Sequence, residues 1–371
     1  MKINKSLIFL VTLTSLALAS CETSGDQPKS SQGPVDDGTA TVFVLSGQSN
    51  MAGSTTYVSA NGDQWLRNAF SKLNEDYDLD LDISYFEDED GNVSAKAPGV
   101  PEVMTSFFGF YPPNGPSGAN ASNKEDKRAG KFLPTNVAMG DQERFMGPEI
   151  GISMVLKEYA TEDKPIYLIK CAFSGSGFTN SAPNWAHNSE VFGSGYNANN
   201  NLYETYFKPF VDNNLKIIEE EIGRTPVIKG LLWHQGESDS GSSNYAKHLG
   251  SLVERFRTDY EDYAPDQDGQ NIPFIDGYIY DGPRSPYNNG SETPKDLTVN
   301  IQKDLLAQEK ENNYVINTSY AHEDGQEQMK LNINPDRGDV EGGVDNYHYK
   351  TYDCVRLGMA YGQMIIDNDI L

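Results

Sequence analysis

Short apolar runs rich in β-branched residues recur along the chain, at 40–45, 165–171, 227–233, 273–280 and 314–318. Each is bounded by turn-forming residues and predicts a buried strand. Longer stretches with helical spacing lie among them at 151–159, 202–222, 244–260 and 297–310, and a last one runs from 350 to about 366. Strands alternating with helices predict a parallel sheet covered on both faces. The expected fold is therefore a three-layer α/β/α sandwich with a central parallel sheet.

The segment from about 54 to 145 breaks this rhythm. It holds an acidic run, Glu87-Asp88-Glu89-Asp90, and an aromatic cluster, Phe107-Phe108-Gly109-Phe110-Tyr111-Pro112-Pro113. A stretch rich in Gly, Asn, Ser and Lys follows at 114–131. Long irregular loops inside a compact domain are commonly functional. Two readings stand: loops over an active site whose aromatic rings stack on sugars, or a satellite core beneath a long loop.

The first strand is the most informative. Val42-Phe43-Val44-Leu45 runs into Ser46-Gly47-Gln48-Ser49-Asn50-Met51, an apolar strand that stops at a glycine with a serine two residues on. α/β hydrolytic enzymes present a nucleophile in this way, at the carboxyl end of a strand where a helix begins and its free N–H groups favour an oxyanion. The segment is not Gly-x-Ser-x-Gly, because Met51 stands where the second glycine would be. A plain strand-to-helix turn with a serine cap fits the decapeptide alone equally well. Two further segments favour chemistry. Leu231-Leu232-Trp233-His234-Gln235-Gly236-Glu237 repeats the strand-into-turn pattern, and Asp345-Asn346-Tyr347-His348 places an acid three residues before a histidine. If the backbone turns there, Asp345 reaches the imidazole Nδ1 and leaves Nε2 free as a general base for Ser49.

With these blocks in hand, the chain resembles the SGNH-like carbohydrate esterases, in particular the sialate O-acetylesterase and acetylxylan esterase group, carbohydrate esterase family 6. The resemblance spans roughly 40–365. It rests on Gly47-Gln48-Ser49-Asn50, Ser174-Gly175-Ser176, Trp233-His234-Gln235-Gly236-Glu237 and Asp345-Asn346-Tyr347-His348, with Gly147-Pro148-Glu149-Ile150-Gly151 as a lead-in to the second helix. It implies a serine esterase that needs no metal or cofactor. Ser49 would be the nucleophile, His348 the base and Asp345 its orienting acid. The oxyanion would be held by the Ser49 and Gly175 N–H groups and the Gln235 side-chain amide. Asn50 and Glu237 are possible supporting residues, with Asn50 bracing the turn and Glu237 read as a buried carboxylate. Relatives usually carry a glycine where this chain has Ser174. A positive φ there would strain a serine, whereas a role through its N–H alone would not.

Other residues fit packing better. His234 faces away from Gln235 if the strand continues. His187, His248 and His322 lack companions at metal-ligand spacing and default to the surface. Trp185 suits either a sugar-site floor or a loop anchor. Cys171 and Cys354 read as buried free thiols.

Length and charge bound the rest. The chain has 371 residues, 37% of them hydrophobic, and a net charge of −25. That is enough for one large core, and the charge disfavours nucleic acid as a partner. Residues 1–20 read as a lipoprotein signal peptide: two lysines, a short apolar stretch, then Leu18-Ala19-Ser20-Cys21, which resembles a bacterial lipobox. Cys21 would then carry the lipid, 21–38 would be a flexible tether, and 39–371 the esterase domain, anchored to the membrane of the cell envelope, on the outer membrane. The expected substrate is an acetylated plant polysaccharide such as xylan. O-acetylated sialic acid is the alternative, and a surface glycan-binding lipoprotein without turnover is the rival from another class.

Overall fold

The computed structural model describes residues 38–59, 62–108, 130–141, 144–178, 184–197, 201–321 and 347–371. In chain order its principal elements begin with β1 (Thr39–Gly47), the single-turn α1 (Ser49–Ala52), β2 (Thr55–Thr56) and α2 (Trp65–Tyr77). Next come β3 (Val100–Phe108), β4 (Leu133–Thr135), β5 (Phe145–Met146), α3 (Glu149–Leu156) and β6 (Ile166–Ala172). The second half holds α4 (Lys208–Ile217), β7 (Thr225–His234), α5 (Tyr245–Asp259), β8 (Phe274–Gly277), α6 (Thr298–Glu309), β9 (Asn313–Ile316) and α7 (Thr351–Asp367).

Seven strands form one sheet in the order β4-β3-β6-β1-β7-β8-β9, and β2 pairs with β5 separately. Every neighbour pair in the large sheet is parallel except β3–β4 at one edge. Strand side chains alternate between faces, and the core divides accordingly. Val42 and Val44 pack with Val211, Leu249, Phe256 and Leu306, from α4, α5 and α6. Phe43 and Leu45 pack with Leu66, Phe70, Ile150, Val355 and Tyr361, from α2, α3 and α7. The three-layer sandwich expected from the sequence is the observed fold, with a mixed rather than purely parallel sheet.

β1 lies in the middle, with β6 on one side and β7 on the other. The chain leaves β1 toward β3 and leaves β7 toward β8, in opposite directions, and a ligand crevice is expected where such neighbouring connections diverge. The turns after β1, β6 and β7 all meet at that crevice.

The 54–145 segment departs from its irregular reading. It supplies α2 and two strands of the main sheet, β3 and β4. Phe107 and Phe108 end β3; Phe107 is buried, and Phe108 stacks on Phe210 with ring centroids 5.6 Å apart. This part of the aromatic cluster is core. The rest of the cluster, 109–113, lies outside the described residues, as do 1–37 with Cys21, and Asp345 and His322.

Candidate functional site

Gly47 ends β1 with φ +138°, and a Cβ there would stand 2.1 Å from the His234 carbonyl oxygen. Glycine is required because β1 and β7 converge tightly just before the turn that carries Ser49. The next N–H, of Gln48, donates to that same carbonyl at 2.9 Å, and Ser49 opens α1 with its side chain nearly buried. Lys170, inside β6, donates to the Ala52 carbonyl at the far end of α1 at 3.0 Å and to Glu149 Oε2 at 2.8 Å. Both partners of this ion pair are 1% exposed or less. The single turn carrying Ser49 is thus held at both ends.

Asn50 connects that turn to the C-terminal segment. Its amide donates to Glu237 Oε1 at 2.7 Å and to the Tyr347 carbonyl at 3.3 Å, and its Oδ1 accepts the Tyr349 N–H at 3.3 Å. The residues on either side of His348 are therefore fastened to the residue after Ser49. Asn50, expected to brace its own turn, instead bonds to segments far away in sequence. Burial pushes the Glu237 carboxyl above its ordinary range, opposed by the Asn50 amide and by the nearby Lys303 and His348 charges.

The middle block settles the Ser174 question. The positive φ, +70°, belongs to Gly175, and Ser174 has none. Serine is unstrained at its position, and its hydroxyl donates to Asp141 Oδ2. Neither the Ser49 nor the Gly175 N–H donates to a loop or turn carbonyl among the described residues.

Gln235 differs from the expectation. Its side chain is fully buried, and its Nε2 lies within hydrogen-bond distance of Gln48 Oε1, the Ser176 carbonyl and Asp239 Oδ2, at 2.9–3.2 Å. Its Oε1 accepts from the Tyr245 hydroxyl at 2.8 Å. An amide with two N–H donors and three internal acceptors has none to offer an oxyanion. Gln235 instead ties the β7 turn to the turn that carries Ser49. Gln48 Oε1 extends that link to the Gly236 and Ser238 N–H groups.

Trp185 is fully buried against Trp233, with its indole N–H on Ser176 Oγ at 2.9 Å, so it anchors a loop and floors no sugar site. His234 is packed within the protein, and burial holds its imidazole well below the usual range. His187 and His248 are buried, not superficial, within an aromatic cluster containing Phe178 and Phe192. Cys171 and Cys354 are buried and unbridged. A surface cleft of about 690 Å³ between α5 and α6 contains none of the motif residues.

Two features escaped the sequence reading. The Lys170–Glu149 pair carried a signal, since a lysine in the middle of an otherwise apolar strand needs a buried counter-charge. Asp141 carried none.

A family model described as carbohydrate esterase, sialic acid-specific acetylesterase, matches residues 121–367. No curated protein sequence matches the chain. Among solved structures, a protein of Arabidopsis thaliana aligns at 16% identity and TM-score 0.48, over 89% of this chain and 99% of its own. NanS aligns at 14% and 0.49, over 89% and 98%. A carbohydrate acetylesterase of Xanthomonas citri aligns at 12% and 0.45, over 88% of this chain and 56% of its own.

Proposed function

From a chain that belongs to the carbohydrate esterase family of sialic acid-specific acetylesterases, we propose a serine mechanism in which Ser49 is the nucleophile and His348 the general base. The observation that carries it is the Asn50 clamp, which joins the nucleophile turn to both neighbours of His348. Ser49 Oγ attacks the acetyl carbonyl carbon while its proton passes to His348 Nε2. The tetrahedral oxyanion is held by the Ser49 and Gly175 N–H groups, and losing one such donor typically costs about 100- to 1000-fold in turnover. The bond to the sugar oxygen breaks as His348 returns the proton to it. Water then repeats the cycle on the acetyl-enzyme and releases acetate. Asp345 orients His348 in this scheme.

The substrate proposed first is acetylated plant polysaccharide such as xylan. The second, O-acetylated sialic acid, is favoured by the description of the family model. The anchor belongs to the proposal as well: Leu18-Ala19-Ser20-Cys21 suits lipidation of Cys21 and a place in the bacterial envelope. Incorporation of labelled palmitate that vanishes in Cys21→Ser tests it.

The decisive experiment is acetate release from 4-nitrophenyl acetate, acetylated xylan and O-acetylated sialic acid by wild type and Ser49→Ala. Release lost in the variant supports the serine mechanism, and the relative rates rank the sugars. A folded wild type no faster than the variant on every ester would sink the mechanism and promote the glycan-binding lipoprotein.

A further inference from the structure

Asp141 sits on the β6 side of Ser49, across the nucleophile turn from Glu237. Its N–H donates to the Gly53 carbonyl at 2.8 Å, which fixes it just beyond α1. Its Oδ2 accepts from the Ser54 hydroxyl at 2.7 Å and from the Ser174 hydroxyl. Ser174 is itself buried and immediately precedes Gly175, whose N–H is proposed for the oxyanion. Both hydroxyls converge on one carboxylate oxygen. The other, Oδ1, is buried and has no hydrogen-bond partner among the described residues. A buried carboxylate oxygen left without a donor is costly, and such oxygens in native proteins call for an explanation. Burial pushes the Asp141 carboxyl above its ordinary range, opposed by the hydrogen bonds from Ser174 and Ser54.

We propose that Asp141 is a specificity-determining residue, whose Oδ1 accepts a hydrogen bond from a free hydroxyl of an uncharged acetylated sugar and which disfavours sugars bearing a carboxylate. This rests on the esterase reading of the site and narrows its substrate class. An ionised carboxylate only accepts hydrogen bonds, and a partly acetylated neutral sugar presents hydroxyl donors beside its ester. A sialic acid brings an anion toward Asp141 and Glu237 together. Among the described residues, the two buried lysines of this region offer it no compensation, since Lys170 is paired with Glu149 and Lys303 with Asp276. Ser174 belongs to the same device: a glycine at that position would leave Asp141 one donor short and free to turn.

The test compares wild type and Asp141→Asn on 4-nitrophenyl acetate, a monoacetylated methyl xyloside and 9-O-acetylated N-acetylneuraminic acid. The expected result is a loss in kcat/KM on the xyloside about tenfold or more beyond any loss on 4-nitrophenyl acetate, with a rise in the ratio of sialate to xyloside turnover. An equal change on both esters, including no change, overturns the proposal. A second measurement needs no variant. Wild type should lose a similar factor when the free hydroxyls of the xyloside are methylated, and equal rates on the two xylosides overturn the proposal even if Asp141→Asn fails to fold. Wild type that prefers the sialate overturns it while leaving the esterase reading intact. Hydrolysis of 4-nitrophenyl acetate that does not depend on Ser49 marks the failure of that reading instead, and this proposal falls with it.

Discussion

The Tyr349 N–H donates to Asn50 Oδ1 at 3.3 Å, across 299 residues of sequence, while the Asn50 amide holds Glu237. One short side chain therefore sets the distance between the turn that carries Ser49 and the segment that carries His348. Asn50→Ala is expected to lower kcat on 4-nitrophenyl acetate about 100-fold, the penalty for a misplacement near 1 Å. KM should move little. Steady-state kinetics on protein whose circular dichroism matches wild type checks this, and an unchanged kcat would show that His348 is positioned without the clamp.

Gln235→Leu separates a brace from an oxyanion donor. The buried acceptors on Gln48 and Asp239 and the Tyr245 hydroxyl would lose a partner, at about 1–3 kcal/mol for a group left unsatisfied. A lower urea midpoint is expected, with kcat of the folded fraction reduced less than tenfold. A loss of about 100-fold or more with unaltered stability would restore Gln235 to the oxyanion.

Lys170→Met leaves Glu149 buried without its counter-charge and frees the Ala52 carbonyl. Breaking such a pair costs about 3–5 kcal/mol. Urea unfolding should show that loss, and adding Glu149→Gln should recover part of it. If Lys170→Met is as stable as wild type, the pair does not hold α1 in place.

Acid should destabilise the protein through its buried histidines. Burial lowers His187 from 6.5 to about 4, and His234 and His248 are lowered too. Between pH 6.5 and about 4 the unfolded chain binds a proton that native His187 does not, so stability present above 6.5 is lost as pH falls. His187 alone contributes up to about 3 kcal/mol by this linkage. His187→Gln cannot take up that proton, and its urea midpoint should fall less than that of wild type between pH 7 and pH 4.5. Parallel declines would assign the acid sensitivity to other groups.

The strand and helix pattern was readable where apolar runs were uninterrupted, as at Val42-Phe43-Val44-Leu45. It was not readable in β3, because Thr105 and Ser106 interrupt its apolar pattern. Thr105 finds its partner in Thr135, 2.7 Å away on the neighbouring strand, and local pattern cannot reveal a polar group satisfied that way. The turn carrying Ser49 was legible because a strand, a glycine and a serine follow one another in sequence. The direction of the Gln235 amide was not, since it depends on Gln48, 187 residues away. Asp141 has side-chain partners 87 and 33 residues distant and no motif of its own.

The clamp between Asn50 and the C-terminal segment also has a temporal meaning. On a ribosome the chain carries Ser49 long before His348. In the proposed mechanism hydrolytic power is thus the last property this protein acquires as it is made. A copy cut short before Tyr347 would lose α7, whose Val355 and Tyr361 cover Phe43 and Leu45, together with the segment that Asn50 holds, so core and proposed base would go at once.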